Sequence, residues 1–145
     1  MTKVYVGGCL CGAVRYEARS ISPKMAHCHC SMCRKFHGAA FATFASVPQA
    51  DFKWLQGELE LQAYQAPNGT IRRFCRHCGS SLTFAPAQET GFVEVTLGTL
   101  DTPLADLLPD AHIYVGSKAN WSVISDQLPQ FSQGRDSERL DQVSS

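Results

Sequence analysis

The sequence has no long apolar run. Its longest weakly polar stretch, GAAFATFASV, falls far short of the ~20 residues that a bilayer-crossing helix needs, so no membrane span is expected. Net charge is missing too. Thirteen Lys and Arg stand against thirteen Asp and Glu, and no basic block is long enough to follow a phosphate backbone, which argues against nucleic acid as a partner. The first residues, MTKVYVGGCLCG, carry neither an apolar h-region nor a small-residue cleavage site, so a cytoplasmic location is expected. There is no internal repeat and no low-complexity tract. The 145 residues, 44% hydrophobic and 18% charged, suit one domain with a working core.

Cysteine is the opposite case. Seven thiols are many for a chain this short, and an odd number cannot all pair as disulfides. In a reducing compartment, thiols hold metal or do chemistry more often than they form bridges. Their distribution agrees, because they fall in three tight groups: CLC at 9–11, CHCSMC at 28–33 and CRHC at 75–78. Buried apolar cysteine is the weaker reading of such clustering.

The chain is organised around AHCHCSMCRKFHGAAF, residues 26–41. In an extended backbone, residues two apart share a side, so Cys28 and Cys30 face one point, and a turn through Ser31 and Met32 brings Cys33 to it. Three ligands leave one vertex of a tetrahedron open. An open vertex distinguishes catalytic from structural zinc, because water or substrate must reach the metal.

The remaining sequence reads as short strands. Residues 3–19 give two strands about a Gly-rich bend, with Val14 and Tyr16 alternating against Arg15 and Glu17. RKFHG predicts one helical turn stopped by Gly38, and AFATFASV an extended segment closed by Pro48. DFKWLQG and ELELQAYQ predict two more strands, with Leu59, Leu61 and Ala63 sharing a face. APNGT is a hairpin turn. A CxxC knuckle ending at Gly79 lies between two further strands, FVEVTLGTL is another, and HIYVGSKANW supplies the last. The tail from Pro129 is polar and Ser-rich, which predicts loose chain or one exposed helical turn near Ser137–Leu140. Mainly β architecture with little helix follows, stapled by metal because strands this brief bury little.

Seven is four plus three, which suggests two ions. From spacing alone, Cys75 and Cys78 pair either with Cys9 and Cys11 or with Cys30 and Cys33. The runs GGCLCGAVRYEA, CHCSMCRKFHGAAFATFASVP, FCRHCGSSLTF and HIYVGSKANW resemble the glutathione-dependent formaldehyde-activating enzyme family, also called the CENP-V/GFA domain, over roughly residues 5–121. That resemblance implies two zinc ions per chain: a structural one on Cys9, Cys11, Cys75 and Cys78, and a catalytic one on Cys28, Cys30 and Cys33. It also implies a small zinc-stapled β fold similar to Mss4-like folds, over residues 1–128, with 129–145 as a polar flexible tail.

The activity the resemblance implies is that of a carbon-sulfur lyase or synthase acting on a small thiol such as glutathione and an aldehyde such as formaldehyde. The competing reading is a non-catalytic zinc module for protein interaction or chaperoning, with the second site closed by histidine. Strand alternation turns His27 and His29 away from the Cys28 and Cys30 side, whereas His37 follows the turn. Arg34 and Lys35 are candidates for attracting the carboxylate of an anionic thiol. Arg72, Arg73 and Arg76 are expected to offset thiolate charge. His77 is expected to face solvent and His112 to be structural. Lys118 and Trp121 match the Ser-Lys-x-x-Trp ending of the family, with Asn120 where many relatives have proline. Trp54, Phe41 and Phe44 are expected in the core.

Overall fold

The computed structural model describes residues 3–141, which form two compact units. Ten short strands and one α-helix account for most of the regular structure among them, so the mainly β expectation holds.

The first unit takes the chain up to Pro23 together with Ala45–Leu107. Strands β1 (Tyr5–Gly8), β2 (Arg15–Ala18) and β5 (Phe52–Gln56) form an antiparallel sheet with β2 at its centre. The alternation read from sequence puts Val14, Tyr16 and Ala18 inside, all at most 1% exposed. Tyr16 stacks on Phe52 at 5.5 Å between centroids and meets Trp54 edge-on at 6.2 Å. Its buried hydroxyl pairs with Thr99 Oγ1 at 2.8 Å, which removes the cost of an unpaired phenol.

A second set of strands in this unit runs in the order β9 (Phe92–Thr96), β8 (Ser81–Ala85), β7 (Ile71–Cys75), β6 (Leu61–Gln65), each antiparallel to its neighbour. Cys9, Val14, Tyr16, Val47, Cys75, Leu82 and Val95 share one core. Full burial of a side chain such as Leu82 contributes about 1.5–3 kcal/mol. Thiols are thus among the core residues of this unit.

One strand expectation is corrected here. Residues Glu58–Glu60 form a 3-10 turn after Gly57, whose φ of 76° breaks the extension, so Leu59 is 92% exposed and the strand begins only at Leu61. As an edge strand, β6 also leaves Ala63 in solvent.

The second unit takes Lys24–Phe44 and the chain from Leu108 onward. Here β3 (Met25–Cys28) pairs in parallel with β10 (Ala111–Ile113), and His112 lies opposite His27. Helix α1 (Ser31–His37) is longer than the single turn expected, because Cys30 caps it: its Sγ accepts from the Cys33 N–H at 3.3 Å. Gly38, at φ 62°, ends it in the left-handed conformation as the sequence predicts. Strand β4 (Ala42–Pro48) starts in this unit.

The tail differs from the expected loose chain. His112 donates its N–H to Pro129 O and accepts from Phe131 N–H, both at 2.9 Å, and Val115 N–H donates to Phe131 O at 2.9 Å. The chain then doubles back through Ser132 N–H to Glu138 O and Leu140 N–H to Gln130 O, both 2.8 Å. Arg135 clamps the return by donating to Asp110 Oδ1 at 2.6 Å. Polar composition misled the reading, because this segment supplies backbone partners to the β10 edge rather than side chains to a core. The last four residues of the expected tail lie outside the described residues.

Ending the chain after Leu128 removes the partners of the His112, Tyr114 and Val115 N–H groups. At roughly 1 kcal/mol per bond, a loss of about 3 kcal/mol is expected in urea unfolding. Faster amide exchange at those three residues should accompany it, and an unchanged midpoint would show that the tail holds nothing.

Two candidate metal centres

In the first unit the chain makes two tight knuckles. After β1, Cys9 donates its N–H to Val14 O at 3.1 Å and accepts from Gly12 N–H at 3.2 Å. After β7, the Cys75 carbonyl accepts from Gly79 N–H at 2.8 Å, a return that Gly79 permits with φ 79°. All four sulfurs of Cys9, Cys11, Cys75 and Cys78 consequently lie within 4.8 Å of one another. Two of the separations are 3.6 Å (Cys9–Cys11) and 3.8 Å (Cys11–Cys75). A tetrahedron with bonds of ~2.3 Å has edges of about 3.8 Å, so the donor set fits a thiolate-bound ion such as zinc.

The surroundings suit thiolates. Val14 N–H donates to Cys9 Sγ at 3.2 Å and His77 N–H to Cys75 Sγ at 3.4 Å, while Ser80 Oγ lies 3.3 Å from Cys78 Sγ. Arginine does less than expected here. Arg76 and His77 both pair with Glu60 Oε2 at 2.7 Å, and the buried Arg72 holds its guanidinium 5.4 Å from the Phe84 ring centroid.

In the second unit β3 ends on Cys28, Cys30 caps α1, and Cys33 sits in the first turn of that helix. Cys28 and Cys33 are buried, and the three sulfurs lie within 4.8 Å of one another. They behave as one acid. Hydrogen bonds with Cys28 and then Cys33 hold the Cys30 thiol far below the ordinary range, and those with Cys30 and then Cys33 push the Cys28 thiol up. Crowded thiols oppose one another's ionisation, and a cation among the sulfurs would relieve that opposition. No histidine or carboxylate joins this group among the described residues.

The histidines are occupied elsewhere. His27 Nδ1 pairs with Thr43 Oγ1 at 2.7 Å, and His29 Nε2 pairs with His112 Nδ1 at 2.8 Å. Both rings pack on Phe41, at 4.9 and 5.0 Å. Burial, followed by the charges of His112, His27, Lys118 and Arg34, lowers the His29 imidazole to about 4. His37 packs on Phe44 at 5.6 Å near the end of α1. Arg34 is half-buried with its Nε unpartnered, and Lys35 is exposed. Lys118 donates to the carbonyls of Ala119 and Ser122, leaving Trp121 70% exposed.

One residue that sequence reading did not single out is Asp126. Its Oδ2 lies 2.9 Å from Nε2 of the buried His112. Nothing in local spacing marks it, because the contact is tertiary.

A mainly β protein in which two separate thiol clusters have metal-ligand geometry is the class these features define. The pattern of the glutathione-dependent formaldehyde-activating enzyme family matches residues 4–117, and the chain belongs to that family. It is 31% identical over 81 residues to an uncharacterised lyase of Schizosaccharomyces pombe, an alignment covering 56% of this chain and 57% of the other. This chain therefore spans little more than half the length of that relative. A Halomonas elongata protein named after the family's enzyme is 28% identical over 121 residues, covering 79% of this chain and 77% of its own. The crystal structure of a Rhodobacter sphaeroides protein is similar with a TM-score of 0.59 at 25% identity, over 68% of this chain and 90% of that one.

Since Arg76 and His77 both pair with Glu60 rather than with a sulfur, alanine at either position is expected to leave the metal-to-protein ratio of purified protein unchanged. A drop of more than about a quarter of an equivalent by elemental analysis would mean that these side chains do hold the sulfur cluster in place.

Proposed function

We propose that the chain binds two zinc ions and catalyses the making or breaking of a carbon-sulfur bond between a small thiol and an aldehyde, with glutathione and formaldehyde as the reference pair. The carrying observation is the contrast between the two centres among the described residues: four sulfurs complete a tetrahedron in one, and three sulfurs without a fourth ligand form the other. On this reading Cys9, Cys11, Cys75 and Cys78 hold a structural ion. Cys28, Cys30 and Cys33 hold the catalytic one.

Zinc held by Cys28, Cys30 and Cys33 would supply the Lewis acidity that lowers the pKa of a small thiol and favours its nucleophilic form at neutral pH. The chain's own residues prepare the place. Helix α1 locks Cys30 and Cys33 into one turn through the cap hydrogen bond at 3.3 Å, and the end of β3 presents Cys28 to the same point. Addition joins the thiol sulfur to the aldehyde carbon, and the thiol proton goes to the carbonyl oxygen to give a hydroxymethyl thioether. Lyase activity is the reverse. Thiols add to formaldehyde readily without help, so lowering the barrier by a few kcal/mol suffices, each ~1.4 kcal/mol being tenfold. The seven thiols are all free, which fits a reducing, cytoplasmic setting. No helix among the described residues is long and apolar enough to cross a membrane.

Elemental analysis is expected to give two zinc per chain, one of them exchangeable by a small thiol or chelator without loss of fold. Cys30→Ser should keep the quartet's zinc and slow NMR-monitored formation of S-hydroxymethylglutathione by about 100-fold, some 3 kcal/mol of barrier. Equal rates for the two proteins, or a single inert zinc, would favour the non-catalytic module instead.

A further inference from the structure

A strand that ends a sheet exposes a row of backbone N–H and C=O groups to any chain that can pair with it, and proteins guard such rows. Among the described residues β1, β5, β6 and β10 end a sheet. Val6 in β1 donates its N–H to Thr102 Oγ1 at 2.9 Å and accepts from the Asp101 N–H at 2.8 Å. The exposed Lys53 guards β5, and the segment after Pro129 covers β10. Strand β6 has none of these devices. Its sequence LQAYQ holds no charge and no proline, and its register on β7 runs without a bulge from Leu61 opposite Cys75 to Gln65 opposite Ile71.

Which backbone groups of β6 point outward follows from the two ends of its ladder. Ala66 N–H donates to Thr70 O at 2.8 Å at one end, and Arg76 N–H donates to Glu60 O at 3.0 Å at the other. Hydrogen-bonded pairs in an antiparallel ladder recur at every second residue, so Gln62 and Tyr64 also bond to β7 while Leu61, Ala63 and Gln65 turn their groups away from it. The Leu61 N–H is spent on Glu58 O in the 3-10 turn. Ala63 and Gln65 therefore each keep an N–H and a C=O on the outer side, and no backbone partner meets them among the described residues.

We propose that β6 is a dimer edge, pairing antiparallel with β6 of a second copy of this chain about a twofold axis at Tyr64. Ala63 of each copy then faces Gln65 of the other, and all of their outward groups are used in four bonds across the axis. The two Tyr64 rings, each 50% exposed, meet as a non-hydrogen-bonded pair, the closer kind, where an aromatic pair is favourable. The next outward pair sets Leu61 against Pro67, and neither has an N–H to give, so the ladder ends where its donors end. Centring on Ala63 instead leaves each Gln65 carbonyl facing the spent Leu61 N–H and separates the tyrosines. An uncharged strand on a chain of zero net charge also brings no repulsion to its own copy. The dimer edge does not depend on the carbon-sulfur reading.

Two short strands make a small contact, so the mass of the full zinc-loaded chain is followed by sedimentation equilibrium from about 5 µM to about 500 µM. The wild type is expected to approach twice the chain mass across that range. Tyr64→Lys sets two ammonium groups against each other on the axis, and Ala63→Pro removes an outward N–H without touching the β7 ladder. Each should raise the dissociation constant at least tenfold at unchanged far-UV circular dichroism and zinc content. Amide exchange gives a residue-by-residue check: Gln62 and Tyr64 exchange slowly at every concentration, whereas Ala63 and Gln65 become slow only as the dimer forms. Brief photo-oxidation should join the two Tyr64 rings as dityrosine, and Tyr64→Phe should lose that cross-link while remaining dimeric. A wild type that stays monomeric to 500 µM, including one whose β6 takes up only a foreign peptide, would overturn the proposal. So would a dimer indifferent to both substitutions, one in which Ala63 and Gln65 still exchange fast, or a cross-link that survives Tyr64→Phe.

Discussion

Sulfur atoms crowded together are the constraint on which this protein depends. Two thiolates about 4 Å apart would repel by roughly 4 kcal/mol at an effective dielectric near 20, and the first unit gathers four cysteine sulfurs within 4.8 Å. Amide donors to Cys9 and Cys75 take up part of that charge. A divalent cation would take up far more, and would tie the end of β1 to the end of β7, which are remote in sequence. Strands of four and five residues gain little from their own ladders, so a cross-link of this kind substitutes for missing core.

The same physics acts differently on the trio. With three sulfurs the charge left after metal binding would be smaller, and a tetrahedral shell would be one ligand short. Among the described residues no imidazole joins the three sulfurs. The residue after Cys28, His29, turns its ring toward those of Phe41 and His112, where it is already engaged through Nε2.

Local chemistry was legible in the sequence and tertiary chemistry was not. The three local cysteine clusters follow from spacing because a knuckle or a capped turn is settled within four or five residues, and the left-handed glycines at 38 and 79 are part of the same short-range grammar. Which knuckles join was left open by spacing and needed the family resemblance, since the partners of Cys75 and Cys78 come from more than sixty residues away. Leu59 was misplaced because the alternation of ELELQAYQ was read from Glu58, whereas its first three residues form a 3-10 turn after Gly57. The segment after Pro129 was misread because its contribution is backbone hydrogen bonding, to which composition is blind. Asp126 lies beyond the family match at 117 and its contact with His112 is tertiary, so neither motif nor period could mark it.

The imidazoles of the second unit remain to be explained as core residues. Packing alone would be served as well by leucine or phenylalanine at 27, 29 and 112, and burying an imidazole is worthwhile only if both ring nitrogens are paired. His27 finds Thr43, and His112 is paired at both nitrogens. His29 is not, and it is the most deeply buried of the three. A fold that positions a carboxylate and a second imidazole to orient that ring, and then leaves its far nitrogen unpaired, retains a cost that packing does not repay.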